Sequence, residues 1–236
     1  MDAINHAGLS RPFPVKDSLF FKFQGSPSSI AETSRLVSEI VASHGAELFQ
    51  SARSTEEADE LWNHRKVGFW STFEWVDDPN TKVWTTDVCV PPSKLPQLVK
   101  ETKEDMSKHR IISTILGHVG DGEKHSSAPH LPLPTFRSPA ACIYSYSPLI
   151  DDSLGNFHAL MVFRNERELE VVKGAVHRLV HRALALDGTC TGEHGVGLGK
   201  KDYLYEELGE GTVGLMHQIK NTLDPMNLFN PGKVRI

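Results

Sequence analysis

The spacing of apolar and polar residues changes several times along the first half of the chain. Clustered aromatic residues predict a short strand at 19–23, and apolar residues at helical intervals predict a helix at 28–43. A second strand is predicted at 47–52. Ser54, followed by Glu57, has the pattern of a helix N-terminus, and this predicts a helix that runs to about Phe69. The first half therefore begins as strand, helix, strand, helix.

The alternation continues through the middle of the chain. β-Branched residues predict a strand at 82–90, and a helix follows Pro91 with Leu95, Leu98 and Val99 as its buried stripe. A further strand is predicted at 110–119. Near the C-terminus we expect one strand and three helices, at 156–163, 166–186, 203–208 and 211–223. Helices between strands are typical of α/β or α+β folds, and we expect one of these two, a sandwich with helices on one face of a sheet.

Residues 123–155 interrupt this pattern. They hold five of the fourteen prolines and six serines, without periodicity, and such a long loop is unusual inside a compact domain. We interpret 123–155 as a Pro/Ser-rich insertion, typical of an unspliced intron or a gene-model error. The remaining chain divides into a linker at 1–17 and one domain at 18–236.

Composition excludes several classes of function. The net charge of −5 gives no basic surface for nucleic acid, and no apolar run reaches the length of a membrane span. Three cysteines without CxxC spacing favour a reducing compartment over a disulfide framework. No targeting segment is visible at the N-terminus.

Two separate segments carry the candidate chemistry. Glu193 and His194 lie side by side in a glycine-rich stretch at 188–199, which alone could equally be a solvated turn. Removing the insertion joins its flanks as GHVGDGNFH, and a turn at GDGN would pair His118 directly with His158. Two imidazoles and the Glu193 carboxylate then form a plausible three-ligand metal site; the alternative is two unrelated histidines among twelve.

Four motifs in order now suggest a family. GHVGDGNFH, WTTDVCVPPSKLPQLVKETKEDM, GTCTGEHGVGLGKKDYL and LDPMNLFNPGKV resemble the C-terminal substrate domain of FAD-linked D-2-hydroxyacid dehydrogenases. Within that family the cytochrome-type D-lactate dehydrogenases are most similar, and the family belongs to the vanillyl-alcohol oxidase-like flavoproteins. The resemblance implies an α+β fold, a ferredoxin-like-type sandwich with helices packed on an antiparallel or mixed sheet. It covers nearly all of the chain outside the insertion.

The resemblance also implies an activity and roles for single residues. D-Lactate or another D-2-hydroxyacid would be oxidised to the 2-oxoacid by hydride transfer to FAD, and cytochrome c or another acceptor would take the electrons. A divalent metal, Zn or Mn, would hold the substrate. The family pattern implies that His118, His158 and Glu193 are the metal ligands and that His194 is the base. It implies that Arg65 binds the substrate carboxylate and that Asn156 also contacts the substrate. Asn230 would contact the flavin.

Two departures from the family pattern qualify these implications. One is the insertion at 123–155, which splits the predicted metal turn at its tip. The other concerns the flavin. The family's FAD-binding domain lies N-terminal to this region, and we expect Met1 to be an internal position of a longer homologue. A truncated chain of this kind would show little dehydrogenase activity alone, and the family implies a mitochondrial location.

Two other hypotheses remain, a metal-dependent hydrolase with a His₂Glu site and a non-catalytic domain that binds a partner. The hydrolase hypothesis lacks an HExxH motif.

Overall fold

The computed structural model describes residues 1–6, 12–119, 142–145 and 155–233, with 142–145 described in backbone only. The described elements are six α-helices and six strands, together with a 3-10 turn at Lys201–Tyr203. The helices are α1 Asp2–His6, α2 Pro27–Ser43, α3 Thr55–Trp75, α4 Leu95–Lys108, α5 Glu166–Ala185 and α6 Leu204–Leu223. The strands are β1 Ser18–Leu19, β2 Lys82–Thr85, β3 Val88–Val90, β4 Ser113–His118, β5 Cys142–Ser145 and β6 Gly155–Phe163.

The strands form one mixed sheet with β6 at its centre. Strand β6 pairs antiparallel with β4 on one side and with both β2 and β3 on the other. The outer edge of β4 pairs with β5, which in turn pairs with β1, both in parallel. The fold is α+β with a mixed sheet, as the family resemblance implied; the alternation of elements alone left α/β open.

The two faces of β6 pack against different helices. Phe157, Ala159 and Met161 point into the main core, where α4 and α5 lie. The alternate residues face the other way, because side chains along a strand point to opposite faces. His158 lies on this second face, toward α3. The predicted metal ligand His158 therefore lies on the α3 side of the sheet.

The predicted helices agree best with the structure. Ser54 caps α3 by accepting a hydrogen bond from the N–H of Glu57, as its sequence pattern predicted. The predicted pair of C-terminal helices, at 203–208 and 211–223, is confirmed: α6 consists of two helical segments that meet at Gly209, whose φ of 76° and ψ of 163° are not helical. None of the helices in the described ranges is long and apolar enough to cross a bilayer.

Three strand predictions need correction. The strand predicted at 19–23 is shorter than expected and consists of the two residues of β1. Strand β5 occupies the edge of β4, and only two residues of β1 pair with β5. The strand predicted at 47–52 is irregular and exposed, α2 beside it buries no residue, and none of the described strands pairs with this segment. The strand predicted at 82–90 is broken into β2 and β3 at Thr86 and Asp87.

The N-terminal residues and the insertion also contain structure. Helix α1 buries Ala3 and Ile4, and Ile4 packs with Met1 and with partly buried Phe13, Phe20 and Leu116. Strand β5 lies inside the segment predicted to be a structureless loop; most of the remaining insertion lies outside the described residues. The division into a 1–17 linker, a domain and a 123–155 insertion stays a prediction.

Candidate active site

The two histidines predicted to coordinate a metal do lie together, but in a different register. Leu116, not His118, is opposite His158, and His118 is opposite Asn156. The predicted pairing of Val119 with Phe157 is also wrong, since Gly117 occupies that position. A shift of two residues keeps every side chain on its face, so the pattern of apolar residues cannot distinguish the two registers. The rings of His118 and His158 lie diagonally, with centroids 5.7 Å apart.

A pocket of about 150 Å³ lies between α3 and the end of the sheet. Its polar lining comes from α3, the sheet and the glycine-rich loop. Helix α3 supplies Arg65 and Lys66, and the sheet supplies Thr85 and the histidines of β4 and β6. A cavity of about this volume can hold a molecule of six heavy atoms, such as benzene. Lactate also has six heavy atoms. The pocket therefore matches a small acid in size and presents cations to its carboxylate.

His158 is held by the break between β2 and β3. Its Nδ1 lies 2.8 Å from the carbonyl oxygen of Thr86, and a carbonyl can only accept, so Nδ1 carries a proton. Its Nε2 lies 3.0 Å from Oε1 of Glu193. In a neutral ring this places a lone pair against a carboxylate oxygen. A bound cation, or a second proton on the ring, satisfies that contact.

The remaining imidazoles surround this pair. His194 stacks on His158, with ring centroids 5.1 Å apart and 20° between the planes. Nε2 of His118 lies 3.9 Å from Oε1 of Glu193, and Nη2 of Arg65 lies 3.2 Å from Nδ1 of His118. The predicted ligands, base and carboxylate partner thus converge on one pocket, although their roles stay predictions.

Asp87 organises the loop that carries Glu193 and His194. Its side chain is 1% exposed and accepts hydrogen bonds from the backbone N–H groups of Gly192, Glu193 and His194, at 2.9 to 3.0 Å. Lys200 Nζ donates to the same carboxylate at 2.9 Å. Burial alone would raise the pKa of Asp87, but the charge of Lys200 and these hydrogen bonds hold it well below its usual range.

Four residues have possible metal-ligand atoms within 4.8 Å of one another, namely Asp87, His158, Glu193 and His194. Both oxygens of Asp87 already accept hydrogen bonds from the loop, so we assign it a positioning role. Sequence reasoning missed it, because an aspartate inside a predicted strand reads as an ordinary polar position. The available signal was the density of glycine in the loop, because a loop so rich in glycine needs a side chain elsewhere to hold it in place.

Two predicted contacts lie away from the pocket lining. Asn156 is 2% exposed beneath the loop, and its amide has no hydrogen-bond partner among the described residues. Asn230 is exposed in the C-terminal turn, where its Oδ1 accepts a hydrogen bond from Lys233. Neither residue is among those that line the pocket in the described part of the chain. Their contacts with substrate and flavin stay predictions.

The two described cysteines are not candidates for this chemistry. Cys89 and Cys190 are both buried and free. Burial raises the pKa of each thiol to about 12. Neither thiol is therefore poised to act as a nucleophile or a metal ligand.

Comparison with known proteins decides the family. Residues 4–128 and 149–234 match the model of the family described as FAD linked oxidases, C-terminal domain. The chain belongs to this family. The motifs that suggested FAD-linked dehydrogenases are confirmed by this match. The match to the FAD-linked oxidase C-terminal domain is interrupted between residues 128 and 149, and this gap lies within the predicted insertion.

Relatives of this FAD-linked oxidase domain include three mitochondrial enzymes. The chain is 39% identical over 93% of its length to D-lactate dehydrogenase [cytochrome] 1 of Saccharomyces cerevisiae. It is 35% identical over 99% to D-lactate dehydrogenase [cytochrome] of Kluyveromyces lactis, and 37% identical over 94% to a probable D-lactate dehydrogenase of Danio rerio. The chain spans about a third of each relative, namely 32%, 36% and 38% of their lengths.

The narrowest position in the loop gives a test of the site. A Cβ at Gly192 would lie 2.4 Å from Oδ1 of Asn156 and 2.6 Å from Oδ1 of Asp87, so Gly192→Ala must displace the loop. We expect a loss of about 1–3 kcal/mol in the free energy of unfolding, measured with urea. Gly199→Ala in the same loop is the control, because its Cβ would meet nothing within 4 Å. Equal stability of the two variants would contradict the tight packing at Gly192.

Proposed function

We propose that this chain is the substrate-binding part of an FAD-dependent D-2-hydroxyacid dehydrogenase that oxidises D-lactate to pyruvate. The single observation that carries the proposal is the contact between His158 Nε2 and Glu193 Oε1, inside a pocket with the size of lactate. The names of the relatives support D-lactate as substrate, a cytochrome as acceptor and a mitochondrial location.

The donor set fits a divalent metal. In its neutral form His158 presents a lone pair at Nε2, because Thr86 fixes the single proton on Nδ1, and such outer hydrogen bonds are typical of metal-bound histidines. Glu193 supplies an oxygen beside it, and His118 lies on the far side of that oxygen. These three residues would hold Zn²⁺ or Mn²⁺, and the ion would acidify a bound hydroxyl group.

The other pocket residues account for binding and proton transfer. Arg65 offers a guanidinium to the substrate carboxylate, for which its planar fork is well shaped, and Lys66 adds a second positive charge. His194 would accept the hydroxyl proton at Nε2, which lies 4.0 Å from the shared oxygen of Glu193. Bound FAD supplies the acceptor for the hydride.

An apolar surface supports association with a flavin-binding part. One side of α6 exposes Leu215, Ile219 and Leu223, at 56%, 52% and 72%. The chain that follows exposes Leu228 and Phe229, just before the turn of Asn230. Exposed apolar patches of this kind mark interaction sites. We infer that this surface covers the flavin-binding part of a longer protein, with Asn230 at the boundary.

Metal-dependent binding of D-lactate tests the proposal. Calorimetry should show that D-lactate binds the Zn²⁺- or Mn²⁺-loaded chain and that L-lactate binds at least tenfold more weakly. Glu193→Gln removes the ligand shared by the two histidines, and we expect a loss of D-lactate affinity of at least tenfold. Glu210→Gln, an exposed substitution on α6, is the matched control.

Two results would reject the assignment. The first is D-lactate affinity that does not depend on metal. The second is equal D-lactate affinity in the Glu193→Gln and Glu210→Gln chains. The oxidation itself is tested in a version extended upstream to the length of the relatives, where D-lactate should bleach the flavin absorbance and L-lactate should not.

A further inference from the structure

A second cluster of histidines lies on the outer surface, formed by α5 and the start of α6. His177 and His181 are one turn apart on α5, and their ring centroids are 4.2 Å apart. Their Nε2 atoms face each other at 3.0 Å. Histidines four residues apart on a helix lie on the same face, so this geometry follows directly from the HRLVH sequence.

The other nitrogen of each ring is held by the next segment of the chain. Nδ1 of His181 lies 2.9 Å from Oε1 of Glu206, and Nδ1 of His177 lies 3.1 Å from the hydroxyl of Tyr203. A carboxylate can only accept, so His181 carries its proton on Nδ1 and presents a lone pair at Nε2. In the metal-free chain, Nε2–H of His177 therefore donates to Nε2 of His181. The Tyr203 hydroxyl can donate to Nδ1 of His177 or accept from it, so it also permits the tautomer in which the proton lies on Nδ1 and Nε2 is free to bind a metal.

We propose that His177 and His181 bind a divalent transition-metal ion through their Nε2 atoms, with Glu206 and Tyr203 as the outer partners that orient the rings. Two nitrogens bound to Zn²⁺ at 2.0–2.1 Å in a tetrahedral site are roughly 3.4 Å apart, so the pair needs to open only slightly. Both rings are accessible, since the His181 side chain is 39% exposed and His177 is exposed as well. Water completes the coordination.

The location gives this ion a structural consequence. The glycine-rich loop that carries Glu193 connects α5 to the 3-10 turn, and the outer partners Tyr203 and Glu206 lie just beyond that loop. A metal on α5 that strengthens the hydrogen bonds to Tyr203 and Glu206 joins the two ends of the loop. The site is separate from the pocket and does not depend on the proposed dehydrogenase function.

Calorimetric titration with Zn²⁺ tests the site in a Glu193→Gln background, where the pocket lacks its shared ligand. We expect the metal-free Glu193→Gln chain, the parent for this test, to bind one Zn²⁺. Adding either His177→Ala or His181→Ala to this parent chain should weaken Zn²⁺ binding at least tenfold. Glu206→Gln should weaken it about tenfold, because loss of an outer partner typically costs 10–100-fold in affinity. His44→Ala, at the exposed C-terminal end of α2, is the matched control and should leave binding unchanged.

Contrary results are equally specific. A folded parent chain that binds no Zn²⁺, or equal affinity in the His181→Ala and His44→Ala chains, overturns the site. Affinity that does not change in Glu206→Gln overturns the role of the outer carboxylate. If the Glu193→Gln chain does not fold by circular dichroism, the wild-type background is used. There, His181→Ala should lower the Zn²⁺ stoichiometry by one, and an unchanged stoichiometry overturns the proposal.

Discussion

Asp87→Asn is expected to destabilise the protein by about 3–5 kcal/mol, the range for removing one partner of a buried ion pair. The substitution leaves the ammonium of Lys200 without its counter-charge, and it places an amide NH₂ against backbone N–H groups that need an acceptor. Urea denaturation at pH 7 measures the loss. Asp59→Asn, an exposed change on α3, is the control and should remain within about 0.5 kcal/mol of wild type.

The same carboxylate predicts how stability depends on pH. The folded pKa of Asp87 is depressed, so its contribution is complete above the unfolded value of about 3.9 and is lost as pH falls toward the folded value. Wild type should therefore lose more stability than Asp87→Asn when the pH is lowered below about 4. Parallel losses in the two proteins would show that the Asp87 pKa is not depressed by folding.

Deleting 123–155 is expected to stabilise the fold by roughly 2 kcal/mol, because it shortens the connection between His118 and Asn156 from 37 residues to four. The deletion also frees the edge of β4, which β5 now covers. The predicted strand at 19–23 could then pair with β4 directly. Urea denaturation gives the stability, and slower amide exchange at 19–23 would show the new pairing.

A chain with 123–155 replaced by a Gly/Ser linker of equal length separates loop length from the sequence of β5. The linker chain should be less stable than the deletion by roughly the same 2 kcal/mol. If the deletion instead destabilises the protein, β5 contributes more than its loop costs, and the segment is an integral part of the sheet.

Local patterns predicted the elements that bury one clear face. Helices α4 and α5 and strand β6 each carry enough apolar residues to determine both their type and their buried side. The strand predicted at 47–52 also carries apolar residues, Leu48 and Phe49, but none of the described strands pairs with it. Whether a segment joins a sheet depends on the other strands of that sheet, and residues 47–52 alone hold no information about them.

The candidate site was predictable only in part, for a related reason. His118, His158, Glu193, His194 and Arg65 were identified from motifs, and the structure brings all five to one pocket. The register of β4 against β6 was wrong by two, because the inserted segment hides the true length of the turn. The anchoring role of Asp87 depends on its contacts with a loop more than a hundred residues away, and spacing along the chain does not reveal such a contact.

The break between β2 and β3 has a consequence for folding order. Asp87 reaches its position only after both strands have paired with β6, and the loop has its anchor only when Asp87 is in place. Contacts between such distant residues carry a large entropic cost of closure and therefore tend to form late. We expect a folding intermediate of this protein, if one is populated, to contain the central sheet with an unstructured 188–199 segment, and the pocket to assemble in the final step.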